Sequence, residues 1–157
     1  MAFVSAMTLT QRKDGEAGAS YLELVDLLQT QGSHTHDDCV ELFRRVVFSI
    51  LIHNTDDHLR NHGFFIGPRG ISLSPAYDIN PSNDRHELSL AINEVDTTCD
   101  VSIAREAHAD YGLSKAEADE IIERAAAAVA SWRREATLWG ISKSEQELMA
   151  AAFEALA

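Results

Sequence analysis

Apolar residues recur at helical spacing in the stretch SYLELVDLLQTQ, where Leu22, Val25 and Leu28 share one face, Ser20 is a good N-cap and Gly32 marks the stop. A second amphipathic helix is predicted from about Cys39 to His53. Its face Leu42, Val46, Ser49/Ile50 is strongly apolar, and Asp37 and Asp38 place negative charge at its start. The pattern then changes period. GFFI and ISLS are short β-favouring runs separated by Gly67, Pro68, Arg69 and Gly70, which predicts a two-stranded hairpin. Further on, Ile103, Ala107 and Tyr111 predict a helix ended by Gly112. Ser114 with Glu117 forms a capping box for a long helix reaching about Trp139, and Ser144 with Glu147 forms another for a last helix. By contrast, Thr8 to Ala19 is polar with two glycines and reads as a flexible arm, with nothing compact before it. The fold class expected is mainly α with a small β-hairpin, residues 1–19 forming the arm and residues 20–157 the domain.

Composition narrows the function classes. A chain of 157 residues with 45% hydrophobic and 24% charged positions suits one globular core, since a chain this size buries roughly 70% of its unfolded surface. The formal charge of −12 opposes phosphate backbones, and the adjacent arginine pairs are only Arg44/Arg45 and Arg133/Arg134, so no direct nucleic-acid contact is expected. No apolar run approaches a membrane span, and MAFVSAMTLT lacks the basic region and cleavage site of a secretory signal, which predicts a cytoplasmic protein without a membrane partner. Cys39 and Cys99 are too few for a disulfide framework.

Candidate chemistry concentrates between helix two and the hairpin. Residues 53–62, HNTDDHLRNH, hold three histidines, two aspartates and two asparagines. A second polar cluster, SPAYDINPSND, follows the hairpin, and a hairpin returns the chain close to where it left, so Asp78 should approach Asp56 and Asn61. Asp56 followed at plus five by Asn61 has the spacing of a kinase catalytic loop, DxxxxN, with Asp78 placed as a metal-binding aspartate. A rival is a His/Asp metal-dependent hydrolase, because His58 and His62 lie four apart, although no HExxH glutamate accompanies them. Among the neighbours, Asp57 is expected to face water or cap the turn, His53 to cap helix two, and His62 to hydrogen-bond where the strand begins.

The segments NTDDHLRNHGFF and LSPAYDINPS, with ELFRRVVFSILI leading into the first, resemble the HipA-type serine/threonine kinases of bacterial toxin–antitoxin systems. The resemblance is close over residues 20–90 and looser over the C-terminal helices. It implies a protein-kinase-like C-terminal lobe and transfer of the ATP γ-phosphoryl group to a protein serine or threonine. On that basis Asp56 is the catalytic base, Asn61 and Asp78 are Mg²⁺ ligands, and His58 neighbours the transferring phosphate. Family members act on proteins, characterised ones on an aminoacyl-tRNA synthetase, and a DNA-binding antitoxin restrains them.

One departure stands against these matches. Kinases hold ATP under a glycine-rich loop and pair its phosphates with a strand lysine. This chain has no GxGxxG, and its only lysine upstream of Asp56 is Lys13, in the polar arm; Lys115 and Lys143 fall on predicted helices far downstream. The chain is therefore expected to need an N-terminal lobe for activity. The alternative is a non-catalytic, truncated lobe that binds an antitoxin or a partner lobe.

Overall fold

The computed structural model of the chain describes residues 2–156. Strand β1 (Ala2–Ser5) leads into a short helix α1 (Ala6–Thr10), followed by α2 (Tyr21–Gln31) and α3 (Thr35–Leu51). Strands β2 (Gly63–Gly67) and β3 (Gly70–Leu73) form the expected hairpin. A long irregular segment then reaches α4 (Val101–Glu106), α5 (Lys115–Ala130), α6 (Trp132–Leu138) and α7 (Lys143–Met149), and 3-10 turns cover Leu59–Asn61, Ala107–Ala109 and Ala150–Leu156. Among the described residues, no helix is long and apolar enough to cross a membrane.

The mainly helical class holds, with one addition: the hairpin is part of a three-stranded antiparallel sheet ordered β1-β2-β3. β1 pairs with β2 through Ala2↔Ile66, Phe3↔Phe65, Val4↔Phe64 and Ser5↔Gly63. Four residues at the start of a chain give too short a pattern to be read locally, so β1 and α1 escaped the sequence reading. Nor does the polar stretch behind them hang free. Arg12 donates to Glu23 at 3.0 and 2.9 Å and to the carbonyls of Ala17 and Gly18 at 3.1 and 3.3 Å, which folds residues 11–19 back onto α2.

Local rules account for most helix ends. Ser20 and Glu23 make the reciprocal capping box that opens α2. Gly32 sits at its end with extended backbone, φ −69°, rather than in the left-handed region. Glycine is required there for space, because a Cβ would fall 2.2 Å from the carbonyl oxygen of Leu28. The predicted long helix is broken in two at Ser131, whose hydroxyl donates to the carbonyl of Ala128 at 2.8 Å and so competes with the helical ladder. The last box uses Ser142 with Glu145, not Ser144 with Glu147, because Gly140 at φ 78° ends α6 and leaves Ser142 at the start of the next helix.

Helix α3 forms the centre. Leu42, Phe43, Val46, Val47, Ile50 and Leu51 are fully buried along it, packed against α2, α4, α5 and β3. Phe43 meets Tyr111 edge to face at 5.2 Å, which closes the core beneath α5. Both polar clusters singled out in the sequence lie beside this buried helix: one leaves its C-terminal end, and the other is pinned to its side.

Candidate active site

Where α3 stops, His53 takes left-handed backbone, φ 51°, and the chain turns sharply. Asn54 is buried and braces the turn: its amide donates to Ser49 Oγ at 3.2 Å, and its backbone N–H to the carbonyl of Ser49 at 2.8 Å. Burial and the neighbouring His86, ring to ring at 5.3 Å, hold His53 below the usual histidine pKa. Further along, the Asn61 side chain donates to the backbone carbonyl of Asp56 at 3.3 Å, closing the DxxxxN segment on itself. The Asp56 side chain is exposed, and its carboxylate takes no hydrogen bond among the described residues.

Asp57 does the opposite of what was expected. Instead of facing water it is buried at 4% exposure. It accepts a hydrogen bond from the Tyr21 hydroxyl at 2.6 Å and one from His62 Nε2 at 2.9 Å. An ionised carboxylate only accepts, so the His62 proton sits on Nε2 in this pair. Burial, and then the Asp57 charge, push the Tyr21 hydroxyl well above the ordinary tyrosine pKa, which keeps it a donor. Together, Tyr21 of α2, Asp57 of the loop and His62 at the start of β2 clamp the loop from below while Asp56 is left at the surface. Sequence alone does not distinguish two adjacent aspartates in a tight turn, since no periodicity extends through it.

The Asp78 segment is secured independently. Buried Arg45 donates to the carbonyl of Ser74 at 2.8 Å, and Asp38 accepts from the backbone of Leu73 at 3.1 Å, so α3 holds the end of β3. Partial burial raises the Asp38 pKa. Three further hydrogen bonds stitch this segment to the first loop: Tyr77 hydroxyl to the carbonyl of Arg60 at 2.7 Å, Asn80 N–H to Asn54 Oδ1 at 3.2 Å, and Ser82 N–H to the carbonyl of His53 at 3.1 Å. Within it, Asp78 adopts φ 54° and its Oδ1 accepts from the Asn80 amide at 2.9 Å. Asp56 and Asn80 line one polar cleft of about 290 Å³, together with Ser82 and Arg85. Asn61 lines a smaller, inner pocket with Ala76 and Ile79, on either side of Tyr77 and Asp78.

Asp78 lines neither of these two pockets, and Asn61 and Asp56 line different ones, but each of the two expected ligands keeps an oxygen of the kind a hard divalent cation takes. Asn61 uses its N–H₂ on the Asp56 carbonyl, which leaves Oδ1 free, and Asn80 orients Asp78 through one oxygen, which leaves the other free. Amide and carboxylate oxygens of this kind are what Mg²⁺ takes. The zinc arrangement finds no such support. No group of three His, Cys, Asp or Glu is clustered for a metal among the described residues. His58 is half-buried and lines a separate cavity with Leu59, Leu90 and the 11–19 loop, whereas Asp56 borders the cleft with Asn80.

A family model described as the HipA-like C-terminal domain matches residues 1–132. The chain belongs to that family. A solved structure from Shewanella oneidensis MR-1, the toxin–antitoxin complex of HipA, HipB and operator DNA, has a chain of the same fold, with a TM-score of 0.68 at 18% identity. The match covers 98% of this chain and 37% of that one, so the HipA-like domain spans well under half the length of its structural relative. No curated protein sequence matches it.

Two features of this HipA-like domain complete the site. None of its three lysines lies on a strand: Lys13 is in the 11–19 loop, and Lys115 and Lys143 open α5 and α7. The outer face of the sheet, opposite buried Phe64, carries aromatic rings that sequence reasoning left unassigned. Phe3 is 55% and Tyr77 38% exposed, and Phe3 lies 6.1 Å from Phe65 and 6.2 Å from Tyr77.

Proposed function

We propose that this HipA-like domain is the catalytic lobe of an ATP- and Mg²⁺-dependent protein serine/threonine kinase, acting with an N-terminal lobe that supplies the strand lysine and phosphate cover. The carrying observation is the set of three hydrogen bonds that join the Asp56–Asn61 loop to the Asp78 segment. Asp56, exposed and unpaired in a polar cleft, accepts the proton of the attacking hydroxyl. Asn61 and Asp78 offer free oxygens to Mg²⁺, which neutralises charge on the nucleotide phosphates. Tyr77, next to Asp78, belongs to the exposed aromatic face and gives the nucleotide base a surface to stack on. His58, through Arg60, steadies the loop from the side away from the cleft.

A second reading is a non-catalytic lobe that binds an antitoxin or partner lobe, in keeping with the structural relative, in which HipA occurs with HipB. Nucleotide-metal binding separates the two. Ten millimolar MnADP is expected to raise the melting temperature of the wild-type domain by about 3 °C and that of Asp78→Asn by less than about 1 °C. Equal shifts, or none, would remove Asp78 as a metal ligand and leave the binding-module reading.

A further inference from the structure

Away from this site, the 11–19 loop ends in a tight turn: the Glu16 N–H donates to the carbonyl of Lys13 at 3.1 Å, which places Asp14 and Gly15 at its centre. Gly15 has φ 76°, and a Cβ built on it would meet nothing within 4 Å, so the tip stands open to water. The Asp14 side chain is 74% exposed. The Gly15 N–H donates to no group among the described residues, which leaves the nitrogen next to that carboxyl in the chain uncommitted. Every other glycine follows a residue other than aspartate or asparagine, so this pair is unique in the chain. One contact reaches outward from the tip. Asp14 pairs with Arg60 of the candidate active-site loop, and Arg60 in turn donates to His58 Nε2 at 2.8 Å. The base of the loop is held separately, by Arg12 to Glu23 at 2.9 Å.

We infer that Asp14 is a site of spontaneous isomerisation to isoaspartate, and that the change cuts the tie between the 11–19 loop and Arg60. The Gly15 nitrogen attacks the side-chain carboxyl carbon of Asp14. An N–C bond forms, the carboxyl C–OH bond breaks, and the hydroxyl leaves as water with the amide proton. Water then opens the five-membered imide by breaking its bond between the nitrogen and the original main-chain carbonyl carbon, and a proton returns to the nitrogen. The atoms are those of aspartate, and no oxidant or cofactor takes part. Glycine favours the first step because it puts no side chain in front of the nitrogen. The product carries an extra methylene in the main chain and its carboxylate directly on Cα, on a shorter arm that falls short of Arg60. The inference rests on this turn alone and not on phosphoryl transfer.

Warm incubation of the whole chain for several weeks at mildly acid pH tests it, since a neutral carboxyl loses water more readily than a carboxylate. Peptide mapping with electron-transfer fragmentation, which separates the two isomers, is expected to find isoaspartate at position 14 ahead of every other site. Asp14→Glu should show none, because its longer side chain closes a six-membered ring far more slowly, while it can still reach Arg60. Asp14→Asn, which forms the same imide with loss of ammonia, should give the isomer sooner than the wild type. The nuclear magnetic resonance signals of the Arg60 guanidinium and the His58 ring should shift as the isomer accumulates, and stay in place in Asp14→Glu. Unmoved signals in fully converted protein would overturn the link to Arg60. Isoaspartate forming first elsewhere would overturn the site. So would a rate in the folded chain more than about tenfold below that in guanidinium chloride, a barrier raised by about 1.4 kcal/mol, because the fold would then be shielding the carboxyl.

Discussion

Replacing Asp57 with alanine is expected to lower the unfolding free energy by about 3–4 kcal/mol, the scale expected when a buried carboxylate is removed and two buried donors lose their acceptor. The side chain is 95% buried and answers two donors from different parts of the chain, the Tyr21 hydroxyl and His62 Nε2. Alanine leaves both donors buried and unanswered, and opens a void beneath the loop. Asparagine should cost less, about 1–2 kcal/mol, because its amide still accepts from one donor. A double-mutant cycle with Tyr21→Phe should return a coupling of roughly 1–2 kcal/mol, since the two residues share one hydrogen bond. The neighbouring substitution Asp56→Ala, at an exposed and unpaired position, should change stability by no more than about 0.5 kcal/mol. Urea denaturation followed by circular dichroism resolves these differences. A loss of less than 1 kcal/mol in Asp57→Ala would show that water replaces the carboxylate and that the clamp is not structural.

Asp56→Ala should nevertheless abolish what Asp57 supports. In an assay where the domain is joined to a lobe bearing the lysine and phosphate-covering loop, phosphoryl transfer to a protein hydroxyl is expected to fall about 10²- to 10⁴-fold, the usual contribution of a positioned general base. Asp57→Asn in the same assay should lose activity in step with the folded fraction. Asp56→Ala should lose it with the melting temperature intact. Asp56 is fitted to the role by its surroundings: it is exposed, it spends no hydrogen bond on the fold, and it borders the polar cleft shared with Asn80, Ser82 and Arg85. Retention of full transfer by Asp56→Ala would move the base elsewhere on the loop.

What was legible in the sequence is what local physics determines. The Ser20–Glu23 and Ser114–Glu117 boxes, the apolar stripe of α3 and the glycine-bounded hairpin are short-range patterns, and each marks an element that formed, although the helix opened by Ser114 stops at Ala130 rather than near Trp139. The order and spacing of Asp56, Asn61 and Asp78 were equally plain, because they sit in two compact motifs on either side of that hairpin. What escaped depends on contacts far apart in the chain. Strand β1 is specified by pairing with a partner some sixty residues away, and Asp57 is turned inward by Tyr21, thirty-six positions earlier. Tyr77 and Asn80 carried no reading of their own, because their bonds to Arg60 and Asn54 cross between two loops. Similarly, the break at Ser131 is made by one hydroxyl, which helical periodicity does not register.

That distant pairing also sets an order of assembly. β2 and β3 meet through a tight turn, while β1 reaches β2 only after the intervening helices have folded, because closing a loop of that length carries a larger entropic penalty. The sheet should then grow outward from its hairpin. In refolding experiments a reporter at Phe3 is expected to lag one at Phe64, and simultaneous signals would point to a single concerted step. The loops carrying Asp56 and Asp78 would thus be in place before the aromatic face beside them is finished, so the two parts of this surface mature one after the other.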